Sequence, residues 1–461
     1  MKRLLSCLII FALLFTLVAC GNTPSNGDAT PTPSEDPTET PAMIDLTEGG
    51  KYMNYEGAAG NPAHKLQALS GFTSNTITVI SNNNHNIEST YFHAFRDVYG
   101  LNSQTDLTND IITKFISQFM ANSSPDIVAF TGINPSLINK GYLADWEQYI
   151  DFSLGLWEDL RESIEGVRFG GKIYTVSESA ARQGLVWFNY ALFEEQGVKN
   201  PMDHYLEGTW DWNTFRDLAK AMTIDADSDG IPEVWGCGIS EPMMFVETTG
   251  TMWVSLKDGQ ITNNILTEGV ARGIQMFADI YNDGSNYDGS DKKEAFGQSK
   301  IAMMSSGVWY RVAFGELIVK GDVGFVPYPK DPESDIYYIP ETFGMLAVPS
   351  NAPNPKASAA YAISGRYNYL NKVTNITAKF DGLSPSEQVE LYGWTGDMEK
   401  WLYDEFTNTS TKTPILSPAT FFDISPWSGD MWFRPLMGEP WSAIAEEIAP
   451  AIDDKIAELC E

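Results

Sequence analysis

The sequence is short of cysteine, histidine and positive charge, and each shortage removes a class of function. Four cysteines in 461 residues cannot build a disulfide framework, and none stands in a C-x-x-C pair. The four histidines, His64, His85, His93 and His204, form no HExxH or other metalloprotease spacing. Thirty basic residues face 61 acidic ones, a formal charge of −31. Such a surface repels phosphate backbones and anionic headgroups, which argues against nucleic acid as a partner. No GxSxG elbow, P-loop or dinucleotide-binding glycine fingerprint occurs, so no enzyme is signalled. Beyond the N-terminal segment no run stays apolar long enough to span a bilayer.

What is present begins with Lys2 and Arg3 ahead of an apolar run from Leu4 to Ala19, closed by Leu17-Val18-Ala19-Cys20-Gly21. The run is short for a permanent span and suits a signal-peptide core. Its boundary resembles the lipobox of bacterial lipoproteins, in which the cysteine is acylated and becomes the first mature residue. Residues 1–19 are therefore expected to be a signal peptide and Cys20 a lipid anchor, since two or three acyl chains hold stably at about 0.8 kcal/mol per buried CH₂. Residues 20–45, rich in Pro, Thr and acids, cannot form a core and read as a tether. The expected location is extracytoplasmic, on the outer face of a Gram-positive cell membrane. Cys7 leaves with the signal peptide, so Cys237 and Cys460 remain, as a pair or as two thiols.

The remaining chain, about 400 residues, exceeds one ordinary core and predicts two lobes. Thr76–Ser81 (TITVIS) reads as a buried strand, followed by a polar loop at 82–86. A helix near 88–99 carries Tyr91, Phe92, Phe95 and Val98, and a second over 107–120 carries Ile111, Ile112, Phe115, Ile116 and Phe119. Pro125–Phe130 is the next strand, so strand, helix and strand alternate as in a parallel α/β sheet. Its ligand edge lies at the strands' C-terminal ends. A second unit starts near Leu185–Asn189. Thr209 is the expected N-cap of a helix bearing Phe215, Leu218 and Met222. Val270, Ile274, Phe277 and Ile280 mark another helix. Lys300–Met304 and Val323–Pro327 are strand-like. The tail Trp441–Leu459 repeats Ile444, Ile448, Ile452 and Ile456, and Pro450 is expected to break or kink that helix or begin its second half.

Several stretches, in order, resemble the extracellular solute-binding proteins of ABC importers, in particular the maltose- and oligosaccharide-binding members. They are PDIVAF (125–130), Leu143-Ala144-Asp145-Trp146, Gly171–Val176, LVWFNYALFEEQG (185–197), Asn200-Pro201, Thr209-Trp210-Asp211 and KIAMMSSGVW (300–309). The resemblance implies a periplasmic-binding-protein-like α/β fold of the class II type, two lobes joined by a multi-crossing hinge, with ligand closed between them. On this pattern 46–180 is the first part of lobe 1, 181–300 the first part of lobe 2, 301–348 the lobe 1 return, and 349–461 the lobe 2 return with the C-terminal helices. One departure is the polar Gly100–Asp110, where the family has a clear second strand.

The implied function is to capture a carbohydrate, an oligosaccharide above all, and deliver it to ABC permease subunits as a monomer, without catalysis and without a required cofactor. A sugar-binding surface lipoprotein serving a sensor or glycan-degrading system, or an importer component for a non-sugar solute, are the alternatives. Sugar binding needs aromatic faces for the ring's C–H surface and polar groups for the hydroxyls. Trp309 and Tyr310, Trp394, and Trp427, Asp430, Trp432 and Arg434 in a loop-like segment are the candidates, with Asn82, Asn84, His85 and Thr131 at strand ends. Glu178, Arg182 and Gln183 lie on the approach to the second lobe. Trp210 and Trp212 are expected to pack the helix start. Separately, Asp225, Asp227, Asp229 and Glu233 reproduce the D-x-D-x-D-G opening of a calcium loop, although Gly236 stands where an EF-hand has its bidentate Glu. A structural calcium there would stiffen the second lobe.

Overall fold

The computed structural model describes residues 43–45, 65–82, 93–130, 132–182, 184–240, 242–257, 259–374, 380–407, 412–416 and 425–460. The expected signal peptide, Cys20 and nearly all of the expected tether lie outside them.

Strands β1 (Met43–Asp45) and β2 (Lys65–Gln67) pair antiparallel. β3 (Thr76–Ser81), β4 (Asn102–Leu107) and β5 (Ile127–Ala129) run parallel, with β3 in the middle. The TITVIS run forms the expected strand because Ile77, Val79 and Ile80 are fully buried. The polar 100–110 segment does contain a strand, contrary to its composition. β4 is the sheet's edge, where one face stays wet and polar residues are tolerated, and it pairs with β3 along all six residues. The helix Ile111–Met120 that follows is capped by Asp110, whose side chain accepts from Thr113 N.

The chain leaves this sheet through β6 (Ala181–Arg182) and enters a second one with β7 (Leu185–Asn189) and β8 (Trp235–Ile239). The helix Trp212–Ala221 between them is capped by Asp211, not Thr209; Asp211 Oδ1 accepts from Thr214 N at 2.9 Å. Trp210 and Trp212 are buried as expected, their indole N–H groups donating to Pro327 O and Thr248 Oγ1. β9 (Val254–Lys257) and β10 (Gln260–Asn263) form a hairpin. β11 (Ile301–Ser306) then pairs with β7 antiparallel and β8 parallel, and β12 (Val323–Pro327) pairs with β7. The second sheet has the order β12-β7-β11-β8.

This pairing corrects the expected return at 301: residues 301–327 stay in the second lobe. The chain goes back only along β13 (Tyr337–Thr342), antiparallel to β6, and reaches the first sheet with β14 (Leu346–Ala347) beside β5. The next helix, Pro355–Thr374, also belongs to the first lobe, where Ala357, Ala360, Tyr361 and Ile363 pack with Ile77, Val79 and Trp157. The third crossing falls after it, since Phe380, Trp394 and Phe406 join the second core. β15 (Lys412–Leu416) lies parallel to β13. Two lobes and three crossings make this the α/β periplasmic-binding-protein-like architecture.

The C-terminal helix Trp441–Cys460 continues through Pro450. The missing hydrogen bond costs about 3 kcal/mol. Buried Ile444 and Ile448 before the proline, and Ile452 and Ile456 after it, offset that at roughly 1.5–3 kcal/mol each. The same helix shares a third apolar cluster with Ile80 and Val128 of the first sheet and Trp253 and Val270 of the second lobe. Among the described residues no helix is long and apolar enough to cross a membrane. Cys237 is a free, buried thiol, pushed up by desolvation; the side chain of Cys460 is outside the described set.

Candidate ligand-binding edges

In both sheets the C-terminal ends of the parallel strands bring polar groups together, the position at which open α/β sheets bind ligands. In the second lobe these are the ends of β8 and β11. β11 is buried along all six residues and ends in Ser305 and Ser306. Ser240 N, just past β8, donates to Ser305 Oγ at 3.0 Å. Ser306 Oγ is buried and makes no hydrogen bond among the described residues, a state that costs about 1–3 kcal/mol unless another polar group reaches it.

Gly307 follows, its carbonyl accepting from Trp187 Nε1, and a 3₁₀ turn, Val308–Phe314, begins. Trp309 stands on this turn with 49% of its surface exposed. The turn is fastened to the core by Phe314, so the tryptophan is presented outward on a rigid base. Tyr310 is half-buried and meets Trp309 edge-on, with centroids 6.3 Å apart at 85°. Trp309 and Tyr310, expected from the sequence to face ligand, stand at this edge together with Ser240, Ser305 and Ser306, which the sequence reading did not single out although two serines and a glycine closing an apolar strand mark such an edge.

In the first lobe the matching edge carries Asn82, exposed just beyond β3, and the half-buried Phe130 beyond β5. Gly132 N donates to Gly344 O, and Gly344 N donates to the buried Ser177 Oγ, so this edge is stitched to the returning crossing. Glu178 is half-buried beside it. Its backbone carbonyl accepts from Arg366 Nη1 at 2.8 Å, while Arg366 Nε reaches Leu156 O and the far end of the guanidinium pairs with Asp159. Burial, and then the charge of Glu178, push the Tyr361 phenol above its ordinary range. Asn84, His85, Thr131 and Gln183 lie outside the described residues, as does the side chain of Arg182, whose backbone pairs with Glu341 in the hinge.

Other residues expected at the ligand are engaged within the fold where they are described. Trp394 is a core residue, 6% exposed: its indole N–H donates to Glu399 Oε2, and the Arg311 guanidinium lies 4.6 Å from its ring centroid. A ring so covered has no face to offer a sugar. The segment holding Trp427, Asp430, Trp432 and Arg434 is the helix Ser425–Leu436, not a loop. Trp432 is half-buried and packs edge-on against Phe277. Arg434 is held by Glu439 and Glu447, so its fork is committed within the C-terminal helices. The side chains of Trp427 and Asp430 are outside the described set.

The acidic turn forms as a compact loop. Oxygens of Asp225, Asp227 and Asp229 lie within 4.8 Å of one another, and three carboxylates converging so closely are chemically suited to a hard cation. The same carboxylates accept backbone N–H groups of Asp229, Gly230 and Ile231. Glu233 is turned to Ala226 N instead, so it does not complete the set.

The family of bacterial extracellular solute-binding proteins matches residues 101–389, more than half of the chain. The chain belongs to that family. Three solved structures show how widely the architecture of this solute-binding protein is shared. An ABC substrate-binding protein of Listeria monocytogenes in complex with cycloalternan is 17% identical, with a TM-score of 0.59 over 83% of this chain and 99% of that one. The maltose/maltodextrin-binding domain of Bdellovibrio bacteriovorus, bound to maltotriose, is 16% identical at a TM-score of 0.56, covering 83% and 100%. The GacH receptor of Streptomyces glaucescens, studied unliganded and with acarbose, is 17% identical at 0.53, covering 83% and 98%. No curated protein sequence matches.

Proposed function

We propose that this solute-binding protein captures a carbohydrate between the strand-end edges of its two lobes and hands it, chemically unchanged, to the permease of an ABC importer. The observation that carries the reading is Trp309: a half-exposed indole just past the end of a parallel strand, three positions after Ser306, whose buried hydroxyl has no partner among the described residues. An indole face covers a sugar's C–H surface, and strand-end hydroxyls and amides take up its polar groups; leaving those unpaired in a closed cleft would be costly. The cycloalternan, maltotriose and acarbose of the three structural relatives agree with this ligand class. Asn82, Glu178, Trp309 and Tyr310 are the contact residues proposed, with Asn84, His85, Thr131, Arg182 and Gln183 retained from the sequence.

Anchoring through an acylated Cys20 on the outer face of the membrane fits delivery to a permease, since a tethered binder needs only to reach across its linker. Calcium at Asp225, Asp227 and Asp229 would stiffen the second lobe without touching ligand. The deciding experiment is calorimetric titration of the protein, signal peptide removed, with a panel of linear and cyclic glycans, peptides and polyamines. A glycan that binds with micromolar or tighter affinity and is recovered intact supports the proposal. Binding of a peptide or polyamine alone overturns the ligand class, and release of a shortened sugar overturns the non-catalytic role.

A further inference from the structure

We infer that Arg311, seated on Trp394, is a positioning residue for the Trp309 platform; this rests on the reading of Trp309 as a ligand contact. The connections run outward from the core in one line. Glu399, itself 8% exposed, accepts the Trp394 indole N–H at 2.9 Å and fixes the ring's rotation. Phe325 stacks on that ring at 27° with centroids 6.5 Å apart. Arg311 lies over the ring with its Cζ 4.6 Å from the centroid. From there its Nε donates to Tyr392 O at 3.3 Å and its Nη1 to Val308 O at 3.0 Å.

Val308 opens the 3₁₀ turn that presents Trp309, one residue before it. A 3₁₀ turn has poor hydrogen-bond geometry of its own and holds its shape only where other groups fasten it. The guanidinium supplies this: a planar fork, pre-organised on an indole, that ties the start of the turn to the Tyr392 carbonyl, 81 residues beyond the arginine. Gly393 allows the approach. It sits at φ +80°, and a Cβ there would lie 3.3 Å from Arg311 Cγ and Nε. Trp394 thus serves the ligand platform from beneath, without touching ligand.

Arg311→Met removes both donors and keeps the stem's packing; Arg311→Lys keeps the charge above the indole but cannot give the same fork. Trp394→Phe keeps a ring face and loses the bond to Glu399, and serves as the second variant should Arg311→Met fold poorly. Two measurements test the inference. In the unliganded protein, hydrogen exchange of the amides at 308–314 is expected to quicken about tenfold in Arg311→Met, less in Arg311→Lys, with the rest of the second sheet unchanged. In a double-mutant cycle, Arg311→Met is expected to weaken glycan binding roughly fivefold in the wild-type background, through ordering of a side chain on binding, and not at all once Trp309 is alanine.

Unchanged exchange at 308–314, or the same affinity loss in both backgrounds, overturns the inference. A wild-type protein that binds no glycan overturns the reading of the ligand instead, while the exchange measurement still decides the role of Arg311.

Discussion

Gly307→Ala isolates the geometry of the platform from the stability of the fold. The backbone at Gly307 has φ −84° and ψ 175°, a region open to any residue, so a methyl group there meets no backbone strain. It meets the Trp309 ring: an added Cβ would lie 2.5 Å from Cε3 and closer still to Cζ3 and Cη2. Carbon atoms rest at about 3.5–4.0 Å, so the ring must retreat by more than about 1 Å. Trp309 is half-exposed and free to swing outward, and the cost to stability is expected to stay below about 1 kcal/mol. The cost to binding is larger. If a sugar covers about 100 Å² of indole, the contact contributes about 2.5 kcal/mol at 25 cal/mol per Å², and Trp309→Ala should weaken binding about 60-fold. A gap of about 1 Å forfeits a quarter to a half of the dispersion contact, so Gly307→Ala should weaken it roughly three- to eightfold. Titration calorimetry with the tightest glycan, beside a thermal melt of each variant, gives both quantities. Wild-type affinity in Gly307→Ala, while Trp309→Ala is impaired, would show that the observed ring position is not the one used in binding. A large fall in melting temperature would mean that Gly307 is a constraint of folding.

Three further outcomes follow from the packing. Burial raises the Asp126 pKa against the backbone N–H bonds that oppose it, so between its ordinary value of 3.8 and the raised one the folded protein holds more protons than the unfolded chain, and stability falls as pH rises through that window. Asp126→Asn, which keeps an acceptor for Thr78 N, is expected to melt above wild type at neutral pH and to lose that advantage below pH 3.8; a pH-independent difference refutes this. Arg366→Met leaves the Leu156 and Glu178 carbonyls without their donor, and urea unfolding should show a loss of about 3 kcal/mol, with a loss under 1 kcal/mol arguing against the clamp. Excess calcium should raise the melting temperature by about 2–4 °C over a chelator-treated sample, and Asp227→Ala should abolish the rise; identical melts would leave the acidic turn a self-capped loop.

The parts of the fold legible in the sequence are those whose burial is complete. TITVIS, LVWFN, IAMMSS and VGFVP became β3, β7, β11 and β12 because an apolar run of that length has few other places to go. The polar β4 escaped, since its pairing partner supplies what its own side chains do not. The boundary at residue 301 was misplaced for a related reason. An apolar strand reads the same in either sheet, and only its long-range pairing with β7 and β8 decides which one it joins. Pro450 was judged by its local cost, whereas the helix around it is held by four isoleucines against distant partners.

The site shows the same division more sharply in two tryptophans. Trp309 in SGVWY and Trp394 in YGWTG stand in similar local settings, each within two positions of a glycine and of a tyrosine. The difference between them is made far away. Glu399 and Phe325 fix and pack against Trp394, and Arg311, 83 positions earlier in the chain, lies over its ring. That same arginine then fastens the turn on which Trp309 stands. Sequence composition can identify which rings are available to a sugar-binding site, but their assignment to its surface or its support depends on where a cation comes to rest. In this chain the guanidinium of Arg311 covers a face of Trp394, while Trp309, two positions before that arginine, keeps about half of its surface exposed.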